Sequence, residues 1–216
     1  IVADYKSKGL AIVSINPNNP KSVRYDEMGY TDMSDSLAEM KTRMKFRGFE
    51  WPYLYDGETQ ATAKAYACIA TPHVFIFDRE RKLRYAGRFD DSRFADASTV
   101  KSQDARNAIE ALLAGKSVAV ETTKPIGCST KWLSKMTDVA EMDEQWKRMP
   151  VALEKIDAAG VAALARNDSQ KLRLINVWAT WCAPCVREFP GLVSISRRLG
   201  NRDFELITVS LDDPKD

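Results

Sequence analysis

Residues 176–190 read NVWATWCAPCVREFP, and the two cysteines within it, Cys182 and Cys185, stand two residues apart behind an apolar run. That run, LRLINVWA (172–179), predicts a strand. After the cysteines, Val186, Phe189, Val193 and Leu199 recur at roughly helical spacing, and FELITVSLD (204–212) predicts a further strand. Before them Pro150 opens a new unit, in which VALEKID (151–157) reads as a strand and AAGVAALAR (158–166) as a short helix. Strand, helix, strand, helix, strand is an α/β pattern, and right-handed crossovers make its sheet largely parallel. The cysteine pair therefore falls on a strand-to-helix turn.

A Cys-x-x-Cys at a helix start puts its first sulfur near unpaired N–H groups and the positive end of the helix dipole, which favours thiolate over thiol. Cys182 is accordingly the expected nucleophile, attacking a substrate disulfide to form a mixed disulfide. Cys185, one turn further in and expected to be more buried, attacks that bond and releases reduced substrate. The reverse sequence oxidises. Pro184 fixes φ in the first turn and removes one donor, which biases the redox balance without changing the reaction type. A structural zinc would need about four ligands, yet Cys68 and Cys128 are far apart in sequence and His73 is the only histidine. An inert staple is the other alternative, but so tight a spacing suits exchange better than closure of a long loop. No metal is expected, and no cofactor beyond the redox-active disulfide. Trp178 and Trp181 are expected to pack over the sulfurs, and Pro190 to kink the helix.

Working outward to the N-terminal side, GLAIVSIN (9–16) is a near-continuous apolar run closed by Asn-Pro, which reads as a strand buried on both faces. A polar loop follows, then a helix capped by Ser34 or Asp35, with Leu37, Met40, Met44 and Phe46 on one face and Gly48 at its end. ATPHVFIFD (70–78) and KLRYAGR (82–88) predict a hairpin. A last helix carries Ala105, Ala108, Ile109, Leu112 and Leu113 on one face, with Gly115 as its stop. From Leu133 to Met149 the composition turns polar and Met-rich, as in an interdomain connector that can be helical.

Composition bounds the rest. A chain of 216 residues, 44% apolar and 29% charged, is long enough for one large or two small domains. Lys and Arg number 32 against 30 Asp and Glu, interspersed along the chain, so charge points to no nucleic-acid or acidic-membrane partner. No run approaches the roughly 18 apolar residues of a membrane span. The first residues, IVADYKSKGL, have neither a basic n-region nor a cleavage site, and both ends read as cuts in a longer parent.

NVWATWCAPCVREFP resembles the active-site segment of the thioredoxin superfamily, in the branch of membrane-anchored or secreted TlpA/ResA-like thiol-disulfide oxidoreductases. Where thioredoxin has a buried Asp before its first cysteine, this chain has Asn176, so a carboxylate-assisted proton relay is not implied. The resemblance spans about residues 150–216, the first half of such a domain. Residues 51–91, with LLAGKSV (112–118) and GCSTKW (127–132), resemble peroxiredoxin-like thioredoxin-fold proteins of the AhpC/TSA-related kind, lacking their N-terminal part. That resemblance implies a cis-proline at Thr71-Pro72 beside a reactive cysteine, with backbone that pairs with substrate. The reactive-cysteine segment of that family would precede residue 9.

The expected fold class is therefore α/β, a thioredoxin-like three-layer α/β/α arrangement. Residues 1–130 are the C-terminal part of a peroxiredoxin-like domain, 131–149 a connector, and 150–216 the N-terminal half of a TlpA/ResA-like domain. Two partial domains expose sheet edges, which raises the expectation of a circularly permuted hybrid with Cys182 facing Pro72. The expected activity is thiol-disulfide exchange by Cys182 and Cys185, with Trp181, Pro184, Thr71 and Pro72 forming the surrounding loops. Its partner is a protein disulfide or an upstream redoxin. A thiol peroxidase, or a client-binding module with a silent first domain, are the alternatives. Cys68 and Cys128 are candidate accessory thiols, Cys68 also reading as a small buried hydrophobe. His73 can tune a nearby thiolate or sit at the surface. Asp90 and Asp91 read as solvated loop. The branch resemblance implies an extracytoplasmic location.

Overall fold

The computed structural model describes residues 2–29, 33–93 and 97–213. It divides into two compact units, Ile1–Ser22 with Asp35–Met136, and Val23–Ser34 with Thr137–Asp216.

The first unit contains helices α1 (Val2–Tyr5), α2 (Leu37–Arg47), α3 (Ala61–Ala65) and α4 (Asp104–Leu113), and strands β1 (Ser14–Asn16), β2 (Tyr53–Tyr55), β3 (Val74–Phe77) and β4 (Leu83–Gly87). The predicted hairpin is β3–β4, paired antiparallel from Val74 opposite Gly87. The predicted last helix, α4, lays Ala105, Ala108 and Ile109 against Ile76 and Tyr85 of that hairpin, with Tyr5 and Val118 completing the buried cluster. Alanines on the buried face let the helix approach the sheet closely, and Ile109 supplies the bulk between them. The Tyr85 ring is fully buried, and its hydroxyl donates to Arg88 O at 2.6 Å, so its polar tip is satisfied as the ring leaves water.

Two expectations about this unit change. GLAIVSIN was expected as a strand covered on both faces, but only Ser14–Asn16 is strand, paired in parallel with β2 alone, and Val13 and Ile15 are exposed. The strand is only three residues long, and its partner, β2, pairs along an edge and covers neither face. The cap of α2 is Ser36, in a reciprocal capping box with Glu39, in place of Ser34 or Asp35. Asp35 is otherwise engaged: its carbonyl accepts from Asn16 Nδ2 and its carboxylate from Asn18 Nδ2, each at 2.8 Å. Of the expected apolar face, Met40 is buried while Phe46 is exposed.

A polar joint also holds this unit together. Gln60 is 0% exposed and left-handed at φ 57°. Its Nε2 donates to Pro17 O (2.7 Å) and Lys131 O (2.8 Å), and its Oε1 accepts from Leu133 N–H (2.8 Å). Asn18 Oδ1 accepts from Lys131 N–H, and Asn19 N–H donates to Lys131 O. One side chain thus satisfies three backbone groups from segments far apart in sequence.

The second unit contains α5 (Met136–Lys147), α6 (Ala158–Arg166), β5 (Leu172–Trp178), α7 (Ala183–Leu199) and β6 (Phe204–Ser210). β5 and β6 pair in parallel over their whole length, from Leu172 opposite Phe204 to Trp178 opposite Ser210, as a crossover through α7 requires. Asp157 caps α6 by accepting Gly160 N–H. VALEKID is not a strand: residues 151–157 form no ladder, and Val151 and Leu153 are exposed. With no partner strand, alternating apolar residues have no pleat to hold them. The expected connector is largely helix, and Arg197 of α7 stacks between Trp146 (4.2 Å) and Tyr25 (3.8 Å) while pairing with Asp143. Pro190 lies inside α7, which continues to Leu199.

Helices and strands are thus mixed along the chain. The described strands nevertheless pair as three separate two-stranded ladders, β1–β2, β3–β4 and β5–β6. Within the first unit, the single central sheet expected of a three-layer domain is not among them. For β4 a physical reason is visible. Its outer edge is occupied by irregular chain, since Ala86 N–H donates to Glu121 O and Ala86 O accepts from Thr123 N–H.

The joint generates the first prediction. Replacing Gln60 by Ala strands Pro17 O and Leu133 N–H and leaves Lys131 O with Asn19 N–H alone, so urea denaturation should show a loss on the order of 3 kcal/mol from the first unit. A loss below about 1 kcal/mol would mean that water replaces the amide there.

Candidate active site

Cys182 and Cys185 are joined in a disulfide with Cα atoms 5.3 Å apart. Cys182 is the N-cap residue of α7, with no side chain capping the helix, and Pro184 is in the first turn. Val186 N–H donates to Cys182 O as the helix begins. Pro184 has no N–H, so the first-turn N–H groups flanking the pair, which lack an i−4 helical partner, are those of Ala183 and Cys185. Both cysteines are half-buried.

The turn that carries them is built at the end of the β5–β6 ladder. Trp178 O accepts from Leu211 N–H, extending the ladder by one rung. Ala179 is buried at 1% exposure, and its carbonyl accepts Cys182 N–H at 3.1 Å, closing the turn. The Trp178 ring meets Phe189 edge-on at 4.4 Å, which pins the first turns of α7 to the strand. Trp181 departs from expectation. It is 75% exposed beside the disulfide instead of packed, and Pro184 and Val186 are exposed with it. Asn176 has its Oδ1 buried without a hydrogen-bond partner.

Two further residues of this turn escaped the sequence reading. The Asp212 carboxylate accepts from Thr180 N–H (3.0 and 3.1 Å), from Thr180 Oγ1 (3.0 Å) and from Ser210 Oγ (2.5 Å). The Ser210 hydroxyl first, then Thr180, hold this carboxyl below the usual range. The only signal in the sequence was an acidic residue just past a predicted strand, which also describes many solvated loops.

The first unit brings together a second set of predicted residues. The Thr71-Pro72 peptide is cis. Thr71 and Cys128 form an isolated antiparallel bridge, with Thr71 N–H donating to Cys128 O (2.8 Å) and Cys128 N–H to Thr71 O (2.9 Å). Gly127 is required for this approach, because a Cβ there would lie under 3.0 Å from Thr71 O, Thr71 C and Pro72 N. Cys128 is exposed and Cys68 half-buried, both as free thiols, with Cys68 Sγ donating to Ala70 O at 3.1 Å. Asp90 and Asp91 close loops: Asp90 accepts from Ser92, and Asp91 accepts the N–H groups of Lys101 and Ser102.

No family model matches the chain. It is 38% identical over 47 residues to the thiol:disulfide interchange protein HelX of Rhodobacter capsulatus, a match covering 22% of this chain and 27% of that protein. Two solved structures are similar at a TM-score of 0.51. A hypothetical protein of Sinorhizobium meliloti 1021 is 37% identical, with 62% of this chain and 67% of that one covered. An uncharacterised conserved protein of Geobacillus kaustophilus is 40% identical, with 61% and 64% covered. The chain belongs to one family with the Sinorhizobium meliloti protein. The chain spans about a quarter of the length of the curated relative it matches. That short match, to a thiol:disulfide interchange protein, suggests a thioredoxin-like superfamily. Among the described residues no helix is long and apolar enough to cross a membrane.

His73 follows Pro72, with its ring 4.2 Å from that of Phe75 and its Nδ1 buried without a partner. Burial pushes its pKa down. As the only histidine it gives a clean NMR titration, expected to have its midpoint below about 6.5. The unfolded chain takes the proton first as pH falls through that value, so acidification should cost stability until the folded ring also protonates. His73→Phe should flatten this dependence; a midpoint at or above the unperturbed value would contradict the assignment.

Proposed function

We propose that the chain is a protein thiol-disulfide oxidoreductase of the disulfide-reducing type, with Cys182 attacking and Cys185 resolving. The observation that carries this reading is the Cys182–Cys185 disulfide at the N-cap and first turn of α7, on the short turn that follows β5. In the reduced chain the Cys182 thiolate, favoured by the Ala183 and Cys185 N–H groups and the helix dipole, attacks one sulfur of a client disulfide. The Cys182–client bond forms, the client bond breaks, and the departing client thiolate takes a proton. The Cys185 thiolate then attacks Cys182 Sγ, the mixed disulfide breaks, and the second client thiolate leaves. Two electrons pass from the chain to the client, and an external dithiol or partner redoxin restores the reduced pair.

The surroundings support a protein client. Exposed Trp181 and Val186 flank the disulfide with apolar surface on which a polypeptide can lie. The similarity to a thiol:disulfide interchange protein supports the same chemistry. The resemblance to TlpA/ResA-like proteins supports an extracytoplasmic setting, where disulfides persist.

Trapping tests the assignment of roles. Cys185→Ser should accumulate a covalent adduct through Cys182 when mixed with a disulfide-containing protein, and Cys182→Ser should neither form the adduct nor reduce the protein. Adducts through Cys68 or Cys128 in the Cys182→Ser variant would overturn the assignment.

A further inference from the structure

The active-site turn is exposed, and a single carboxylate ties it to the neighbouring strand. Thr180 lies two residues before Cys182 and is itself exposed, so packing does not hold it. Its N–H and its Oγ1 both donate to Asp212, two residues beyond the end of β6. The same carboxylate accepts from Ser210 Oγ, the last residue of β6, and Asp212 N–H donates back to that oxygen at 3.1 Å. Ser210 is opposite Trp178 in the ladder, and Leu211 N–H donates to Trp178 O. Asp212 is therefore anchored on β6 while it grips the turn that leaves β5.

We infer that Asp212 is the positioning residue of the Cys182–Cys185 turn, holding Thr180 so that the start of α7 keeps its free N–H groups aimed at the Cys182 sulfur. The inference rests on the oxidoreductase reading above. Asp212 acts through Thr180 and touches no reacting atom. Its position also sets two effects against each other. A carboxylate this near the turn opposes a thiolate through its charge, while its hydrogen bonds favour the thiolate by ordering the turn. A residue retained only for charge would act in the opposite sense to one retained for position, and substitutions separate the two.

The experiment is the pH dependence of Cys182 alkylation in the reduced chain, read by mass spectrometry, for the parent and for Asp212→Ala, Asp212→Asn and Ser210→Ala. The parent is expected to react with an apparent pKa below about 8.5. Asp212→Ala, which loses the grip on Thr180, should move upward by roughly one unit. Asp212→Asn keeps an acceptor for Thr180 N–H and loses the charge, so it should stay at or below the parent. Ser210→Ala removes one anchor and leaves both Thr180 contacts, so it should stay near the parent, and its circular dichroism provides a folding reference for Asp212→Ala. If Asp212→Ala and Asp212→Asn fall together, the carboxylate acts by charge and the positioning role is overturned. If neither moves while the parent is depressed, the role is overturned and the oxidoreductase reading stands. If the parent itself titrates as a free thiol, both fall.

Discussion

Seven rungs of parallel pairing between Leu172–Trp178 and Phe204–Ser210 determine where the disulfide stands. A parallel pair cannot be closed by a tight turn, so the chain must leave β5, cross through a helix and return. The start of that helix therefore falls just past the end of β5, and its N-cap is Cys182. The placement of the sulfurs, the free N–H groups near them and the closing bond from Cys182 N–H to Ala179 O all follow from this one connection. The ladder also brings Ser210 opposite Trp178, which puts Asp212 within reach of Thr180.

The two units solve the burial problem differently. The first has an apolar cluster between α4 and the β3–β4 hairpin, and a polar joint in which buried Gln60 and the asparagines at 16, 18 and 19 replace hydrophobic contacts with hydrogen bonds. In the second, Ala179 is the only fully buried apolar residue among those described. Arg197 between Trp146 and Tyr25, and Trp178 against Phe189, supply its cohesion, and these depend on flat side chains stacking over short distances. Such contacts leave much apolar surface exposed, Trp181 and Val186 at the disulfide included.

Much of this was legible in the sequence. The pattern of LRLINVWA, the cysteines, the apolar face after them and FELITVSLD located β5, α7 and β6, because a crossover unit states its period changes plainly. The β3–β4 hairpin and α4 were legible for the same reason. GLAIVSIN and VALEKID misled because an apolar run specifies a strand only where a partner strand exists, and pairing is not a local property. β2 was missed because three residues show no period. The site divided along similar lines. Cys182 and Cys185 announce themselves by spacing, and Thr71-Pro72 by family resemblance, whereas Thr180 and Asp212 meet only through the ladder. Gln60 gave no signal, since a glutamine in a polar stretch is ordinarily a surface residue.

The central claim is that the Cys182–Cys185 bond exchanges with thiols instead of merely bracing the turn. Equilibrating the chain against dithiol–disulfide buffers of known potential, then alkylating and weighing it, measures this most directly. Exchange-active pairs lie above about −300 mV and structural disulfides below it. The account predicts half-reduction above that boundary, with Cys68 and Cys128 alkylated throughout. A bond that stays closed well below it would contradict the account and leave the disulfide as a staple at the head of α7.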